Sequence, residues 1–264
     1  MLNILTEISN NVQFPLKLIH PFEFKEVIMN IRGEKAFLLI SLGNKKDFYS
    51  LNLENHAYIQ YFFRNEEIEE YLSKNKKYFW LNGRFLVKTA IIKLLKYSNL
   101  NYFPYTSIRI IKNTPNRPIL IMPEISCNKR IFFSIAHSQE KIIAIASFSQ
   151  IGADIEKVRK FPPRLLKKFL NPKDFLKIFH IFTKSKAFRL SENEIYTTFW
   201  CIKEAVSKAT GLGLKLDFRK MALYFKNSKI YVKILNQNKN EIYFVKILKE
   251  DNYIIAIAKK LNTY

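Results

Sequence analysis

The pentapeptide Ile-Ile-Ala-Ile-Ala occurs twice, at Ile142–Ala146 and at Ile254–Ala258. Each copy closes a run of short strand-like segments that follows a long helical pattern. That repeated order predicts an α+β fold of two similar lobes, each a long helix packed on a small antiparallel sheet, related by a pseudo-twofold axis. The boundary falls near Gln150, which gives an N-terminal lobe over residues 1–150 and a C-terminal lobe over 151–264. The cleft between two such lobes is a natural ligand site.

Local patterns fill in the lobes. Residues 36–53 read as a hairpin, with "AFLLISL" and the alternating "DFYSLNL" on either side of "GNKK". From about Glu66 to Tyr97 the period becomes helical, in two segments separated near "SKNKK", and places Arg84 and Lys88 one turn apart. Short strands follow at "SIRIIK", "PILIM", "IFFSIA" and "KIIAIASF". Ser191 with Glu194 three residues later is a capping box for a helix that stops at Gly211. The chain then finishes in strands at "MALYF", "KIYVKIL", "EIYFVKIL" and "YIIAIAKK".

Bulk properties narrow the function classes. No apolar run reaches the roughly 20 residues that span a bilayer, and "MLNILTEISNN" lacks the basic start and small-residue cleavage site of a signal peptide, so a cytoplasmic location is expected and no membrane contact. Two cysteines, Cys127 and Cys201, make neither a disulfide framework nor a zinc pattern. A formal charge of +22 favours an anionic partner without choosing one, and a basic nucleic-acid-binding protein without catalysis is one reading of it.

The stretch "IGADIE" at 151–156 points elsewhere. On a strand, Asp154 and Glu156 leave the same face, where like charges repel unless a cation or hydrogen-bond donors intervene. On the helix "TTFWCIKEAVSKATGLGL", Trp200, Glu204 and Lys208 lie at i, i+4 and i+8 on one face, with Lys203 and Ser207 beside it. Two strand carboxylates, a helix carboxylate and a lysine suit a hard divalent cation holding a phosphate. Lys208, Arg84, Lys88 and Arg117 are then candidates for the charges of a polyphosphorylated ligand.

These residues also carry a resemblance. "GADIE" at 152–156 followed by "FWCIKEAVSKATGLGL" resembles the two signature motifs of the Sfp-type 4'-phosphopantetheinyl transferases. "RPIL" at 117–120 and "FFSIAHS" at 132–138 are similar to that family's earlier motifs, and "YFWLNGRFLVKTAI" at 78–91 to an arginine-bearing helix of its first lobe. Two positions depart from the family's usual residues: Ala136 where a serine is usual, and Ala153 where valine or isoleucine is usual.

The resemblance implies the 4'-phosphopantetheinyl transferase fold and transfer of the phosphopantetheine arm of coenzyme A to a serine of an acyl or peptidyl carrier protein. It implies Mg²⁺ held by Asp154, Glu156 and Glu204, with Lys208 neutralising the transferring phosphate. Glu204 or a water beside the metal would take the serine proton. His137 and Ser138 would meet the 3'-phosphate or adenosine end, joined by Arg117, Arg84 and Lys88, with Lys203 facing either ligand or surface. A monomer is implied, with no nucleic-acid partner. The basic stretch Lys160–Phe182 is expected to expose Leu and Phe among Arg164, Lys167 and Lys168 and so to dock an acidic carrier.

Overall fold

The computed structural model describes residues 24–41, 56–75, 77–100, 103–113, 117–123, 129–170, 179, 190–213, 216–227, 229–235 and 241–261. Strands β1 (Phe24–Ile31) and β2 (Glu34–Ser41) form a hairpin. Helices α1 (His56–Phe62), α2 (Asn65–Leu72) and α3 (Lys77–Tyr97) come next. A two-stranded ribbon of β3 (Arg109–Asn113) and β4 (Arg117–Ile121) precedes β5 (Phe132–Ser138), β6 (Lys141–Ser147) and β7 (Ile151–Lys157). Helices α4 (Pro163–Phe169) and α5 (Glu192–Thr210) lead to β8 (Met221–Lys226), β9 (Lys229–Ile234), β10 (Glu241–Glu250) and β11 (Tyr253–Lys260).

The strands build two antiparallel sheets, ordered β1-β2-β6-β5 and β7-β11-β10-β9-β8. Helix α3 covers the outer face of the first and α5 the outer face of the second, while the inner faces pack on each other. The repeated pentapeptide explains this layering. Ile142, Ala144 and Ala146 face α3, while Ile143 and Ile145 fill the space between sheets. In the second copy Ile254, Ala256 and Ala258 face α5, and Ile255 and Ile257 point between the sheets. Both strands are buried on both faces, so each reads as a continuous apolar run. The alanines let a helix approach closely and the β-branched residues fill the inter-sheet core. The chain is thus an α+β protein with a helix, two antiparallel sheets and a second helix in layers.

Contacts between the sheets are also polar. Lys259 is buried and donates to the Ile31 carbonyl at 2.9 Å, and the Arg32 guanidinium lies over the rings of Tyr231 and Phe244 at 5.2 and 5.7 Å.

The strands β3 to β6 and β8 to β11 fall where the sequence pattern places them, and Ser191 caps α5, which ends at Gly211 in the left-handed region with φ 76°. Three expectations change. The partner of β2 is β1, paired through the turn at Arg32 and Gly33, whereas the second strand expected for that hairpin lies outside the described residues. Strand β1 escapes the pattern because it is an edge strand on which only Met29 and Ile31 are buried. The short helix α1 precedes the predicted helical region. No helix among the described residues is long and apolar enough to cross a membrane.

Candidate active site

The site is built where α5 crosses β7. Pairing of Asp154 with Ala256 and Glu156 with Ile254 puts both carboxylates on the α5 side of the second sheet, with Ala153 and Ile155 buried between the sheets. Gly152 makes the crossing possible. A Cβ there would stand 2.2 Å from the Ala205 carbonyl oxygen and 2.4 Å from the Ala209 nitrogen, so helix backbone occupies the space of any side chain. Gln150 Nε2 ties the same turn by donating to the Ala209 carbonyl at 2.7 Å.

With the axis so placed, the Trp200, Glu204, Lys208 stripe runs opposite in direction to the strand carboxylates. Trp200 Nε1 donates to Glu156 Oε1 at 3.1 Å, and Lys208 Nζ donates to Asp154 Oδ1 at 2.7 Å. Glu204 lies between them on the helix. Trp200 is clamped by Phe161, Phe169 and Phe218, with ring centroids 6.2, 5.2 and 5.8 Å away. From the first sheet, Ser138 Oγ donates to Glu156 Oε2 at 3.1 Å.

Electrostatics bind these groups into one unit. Burial and the Asp154 charge raise the Glu204 carboxyl to about 7, against the opposing pull of Lys208. The same two causes raise Glu156, against Arg159 and the bonds from Ser138 and Trp200. Beneath them the Cys201 thiol is pushed up by burial and by Asp154, and donates to the Ile254 carbonyl at 3.4 Å. Asp154 itself is only 6% exposed, and its Oδ2 has no hydrogen-bond partner among the described residues.

An orphaned Asp154 oxygen beside two carboxyls that burial and the Asp154 charge push up is the donor chemistry of a hard divalent cation. Asp154, Glu156 and Glu204 fit such an ion. They are not yet gathered around one point: among the described residues no three His, Cys, Asp or Glu side chains are grouped to hold a metal. The positive charge beside Asp154 is the Lys208 ammonium.

The other expected site residues are more dispersed. His137 is exposed on the α3 side of β5, stacked on Phe79 at 4.6 Å, whereas Ser138 faces the second sheet. The side chain of Arg117 lies outside the described residues; its backbone starts β4. Lys88 does not face a ligand surface. It is 0% exposed and donates to Glu67 Oε2 at 2.7 Å and to the Phe62 carbonyl at 2.9 Å, because α2 packs its acidic first turn against this face of α3. Arg84 is buried next to it, over the Trp80 ring at 5.4 Å, with burial lowering its pKa and Glu70 and Glu67 opposing that. Lys203 is likewise structural: it is buried and donates to the Phe218 carbonyl at 2.6 Å and more weakly to that of Met221 at 3.4 Å.

Helix α4 departs from expectation too. Phe161 and Phe169 are buried and Leu165 and Leu166 pack against the core between α5 and the second sheet, so the face left to solvent carries Arg164, Lys167 and Lys168. The remainder of the expected basic stretch, apart from Phe179, lies outside the described residues. Trp200 and Ser138 as partners of Glu156 are additions. The i, i+4, i+8 alignment of Trp200 with Glu204 and Lys208 is the signal for the first, and only the packing of the sheets reveals the second.

The family comparison falls on the same elements. The description "4'-phosphopantetheinyl transferase superfamily" matches residues 150–258, from β7 through α5 to β11. The curated protein "4'-phosphopantetheinyl transferase gsp" of Aneurinibacillus migulanus is 24% identical over 178 residues, covering 67% of this chain and 66% of that protein, just under two thirds of its length. A crystal structure of Thermotoga maritima holo-[acyl-carrier-protein] synthase is similar over 44% of this chain and 64% of that one, at 20% identity and a TM-score of 0.33. The matched residues 150–258, which are similar to the 4'-phosphopantetheinyl transferase superfamily, hold the Asp154, Glu156, Glu204 and Lys208 constellation.

Proposed function

We propose that this protein transfers the 4'-phosphopantetheine group of coenzyme A to a serine of an acyl or peptidyl carrier protein, acting as a cytoplasmic monomer with magnesium. The observation that carries the reading is the crossing of β7 and α5. Gly152 brings the backbones together, so that Lys208 reaches Asp154 and Trp200 reaches Glu156, with Glu204 on the helix face between Trp200 and Lys208.

In the reaction the carrier's serine oxygen attacks the phosphorus that bears the pantetheine arm. The bond from that phosphorus to the bridging oxygen breaks in line, and 3',5'-adenosine bisphosphate leaves. A magnesium ion bound by Asp154, Glu156 and Glu204 would supply neutralisation of the diphosphate charge. Lys208, paired here with Asp154, contributes a mobile ammonium that would neutralise charge on the transferring phosphate. Glu204, only partly buried, stands on the helix face between Trp200 and Lys208 and accepts the serine proton directly or through a water.

His137, exposed on the first sheet, and Arg117 are assigned to the nucleotide end of coenzyme A, so residues 1–150 serve the nucleotide and 151–264 the metal and carrier. Lys88 and Lys203 are left out of the ligand set because each is buried in bonds of its own. The solvent face of α4, with Arg164, Lys167 and Lys168, attracts an acidic carrier by charge, its apolar residues being committed to the core.

The test is intact-mass analysis of an apo carrier protein incubated with this protein, coenzyme A and Mg²⁺. The carrier is expected to gain one phosphopantetheine, and chelation of the metal to stop the gain. Unchanged mass across a panel of acyl and peptidyl carriers would reject the assignment.

A further inference from the structure

We infer that Ser138 is a positioning residue that holds Glu156 in place across the seam between the two sheets, and not a ligand of the nucleotide. The inference rests on the reading of Glu156 as a metal-holding carboxylate.

Strands β5 and β7 are the facing edges of the two sheets, each without a ladder partner on that side among the described residues. Side chains bridge them instead. Ser134 Oγ donates to the Ala153 carbonyl at 3.3 Å. Four residues further along, on the same face of β5, Ser138 Oγ receives the Lys157 backbone N–H at 3.1 Å and donates to Glu156 Oε2 at 3.1 Å.

The direction of these bonds decides the role. A backbone N–H can only donate, so the lone hydroxyl proton of Ser138 is left for the carboxylate. That proton is thereby spent, and Ser138 has none to offer a phosphate oxygen, which would need a donor. Glu156 Oε1 takes its own donor from Trp200. Both oxygens of Glu156 are therefore oriented by neutral donors, one from each side of the seam, while Asp154 beside it keeps an orphaned Oδ2. Donors of this kind fix the rotamer of a metal-holding carboxylate, and losing one costs about ten- to a hundred-fold in metal affinity. The same bond couples the lobes, since β5 carries His137 on its other face.

Manganese(II) binding followed by the electron paramagnetic resonance of the free ion, with and without coenzyme A, tests this in the full chain. Ser138→Ala is expected to bind Mn²⁺ about ten-fold more weakly or worse, and Ser138→Thr, which keeps the hydroxyl, to recover most of the loss. Ser134→Ala removes a bond from the same seam without touching Glu156 and is expected to bind as the parent does. Melting curves of all three variants show whether each is folded. Folded Ser138→Ala with parental affinity would overturn the inference while leaving the metal reading intact, provided Glu156→Gln loses binding. Equal losses in Ser134→Ala and Ser138→Ala would assign the effect to the seam and overturn it as well. Parental binding in Glu156→Gln would instead reject the metal reading beneath it.

Discussion

Gly152 lies directly beneath Ala205: a methyl group on its Cα would stand 2.2 Å from the Ala205 carbonyl oxygen. This contact sets the distance between β7 and α5, and through it the meeting of Asp154 with Lys208 and of Glu156 with Trp200. Gly152→Ala therefore has to push α5 off the sheet. Overpacking of this kind costs about 1–3 kcal/mol, and here it also parts the site. Urea unfolding is expected to show the loss together with a fall in transfer rate; full stability with full rate would show that the crossing has slack.

Asp154 acts on its neighbours through its charge. Burial and Asp154 raise Glu204 to about 7, so Asp154→Asn removes the second of these causes. The Glu204 carboxyl is expected to titrate at lower pH in the variant, read by carbon-detected magnetic resonance of the labelled side chain without metal. A titration that stays where it was would mean that the two groups do not share a field. Asp154→Asn and Glu204→Gln are each expected to abolish transfer, and because Asp154 is 6% exposed and paired with Lys208 the amide is the substitution that preserves packing.

Lys88 and Glu67 form a buried pair, with exposures of 0% and 4%. Removing one partner leaves the other charged and unpaired inside the protein, a loss of about 3–5 kcal/mol. Lys88→Met is expected to lose this much in denaturant unfolding, and Lys88→Met with Glu67→Leu to regain most of it. A Lys88→Met protein of parental stability but poor coenzyme A binding would return Lys88 to the ligand set.

The cap of α5 gives a pH dependence. Burial alone would raise the Glu194 carboxyl, but hydrogen bonds from Lys249 and Ser191 outweigh it and bring it down to about 2. The folded value lies below the ordinary 4.5, so the ionised form is the one that folding favours. Its contribution is present in full above pH 4.5 and is lost as pH falls from there toward 2. The melting-temperature difference between the parent and Glu194→Gln is expected to shrink over that window; a difference constant with pH would contradict the pairing.

Much of this was legible before any coordinates. The doubled IIAIA predicted two helix-on-sheet lobes because each copy closes a run of strands that follows a long helical pattern. Strand and helix periods put Asp154 with Glu156 on one strand face and Glu204 with Lys208 on one helix face, the resemblance to the Sfp-type motifs joined them in one expected site, and Ser191 and Gly211 marked the ends of α5 by their capping chemistry. What stayed hidden depends on contacts distant in sequence. Nothing near Lys88 announces that Glu67, on another helix, consumes its charge. Ser138 resembles a ligand residue until the second sheet brings Glu156 to it. Strand β1 hides because an edge strand needs few apolar residues.

The most direct test of the central claim is the anomalous scattering of manganese in crystals grown with coenzyme A. The account predicts one strong peak bounded by Asp154, Glu156 and Glu204 and by the diphosphate, with Lys208 moved from Asp154 to a phosphate oxygen. A diphosphate bound elsewhere, or Lys208 still on Asp154 with no metal at the carboxylates, would contradict it.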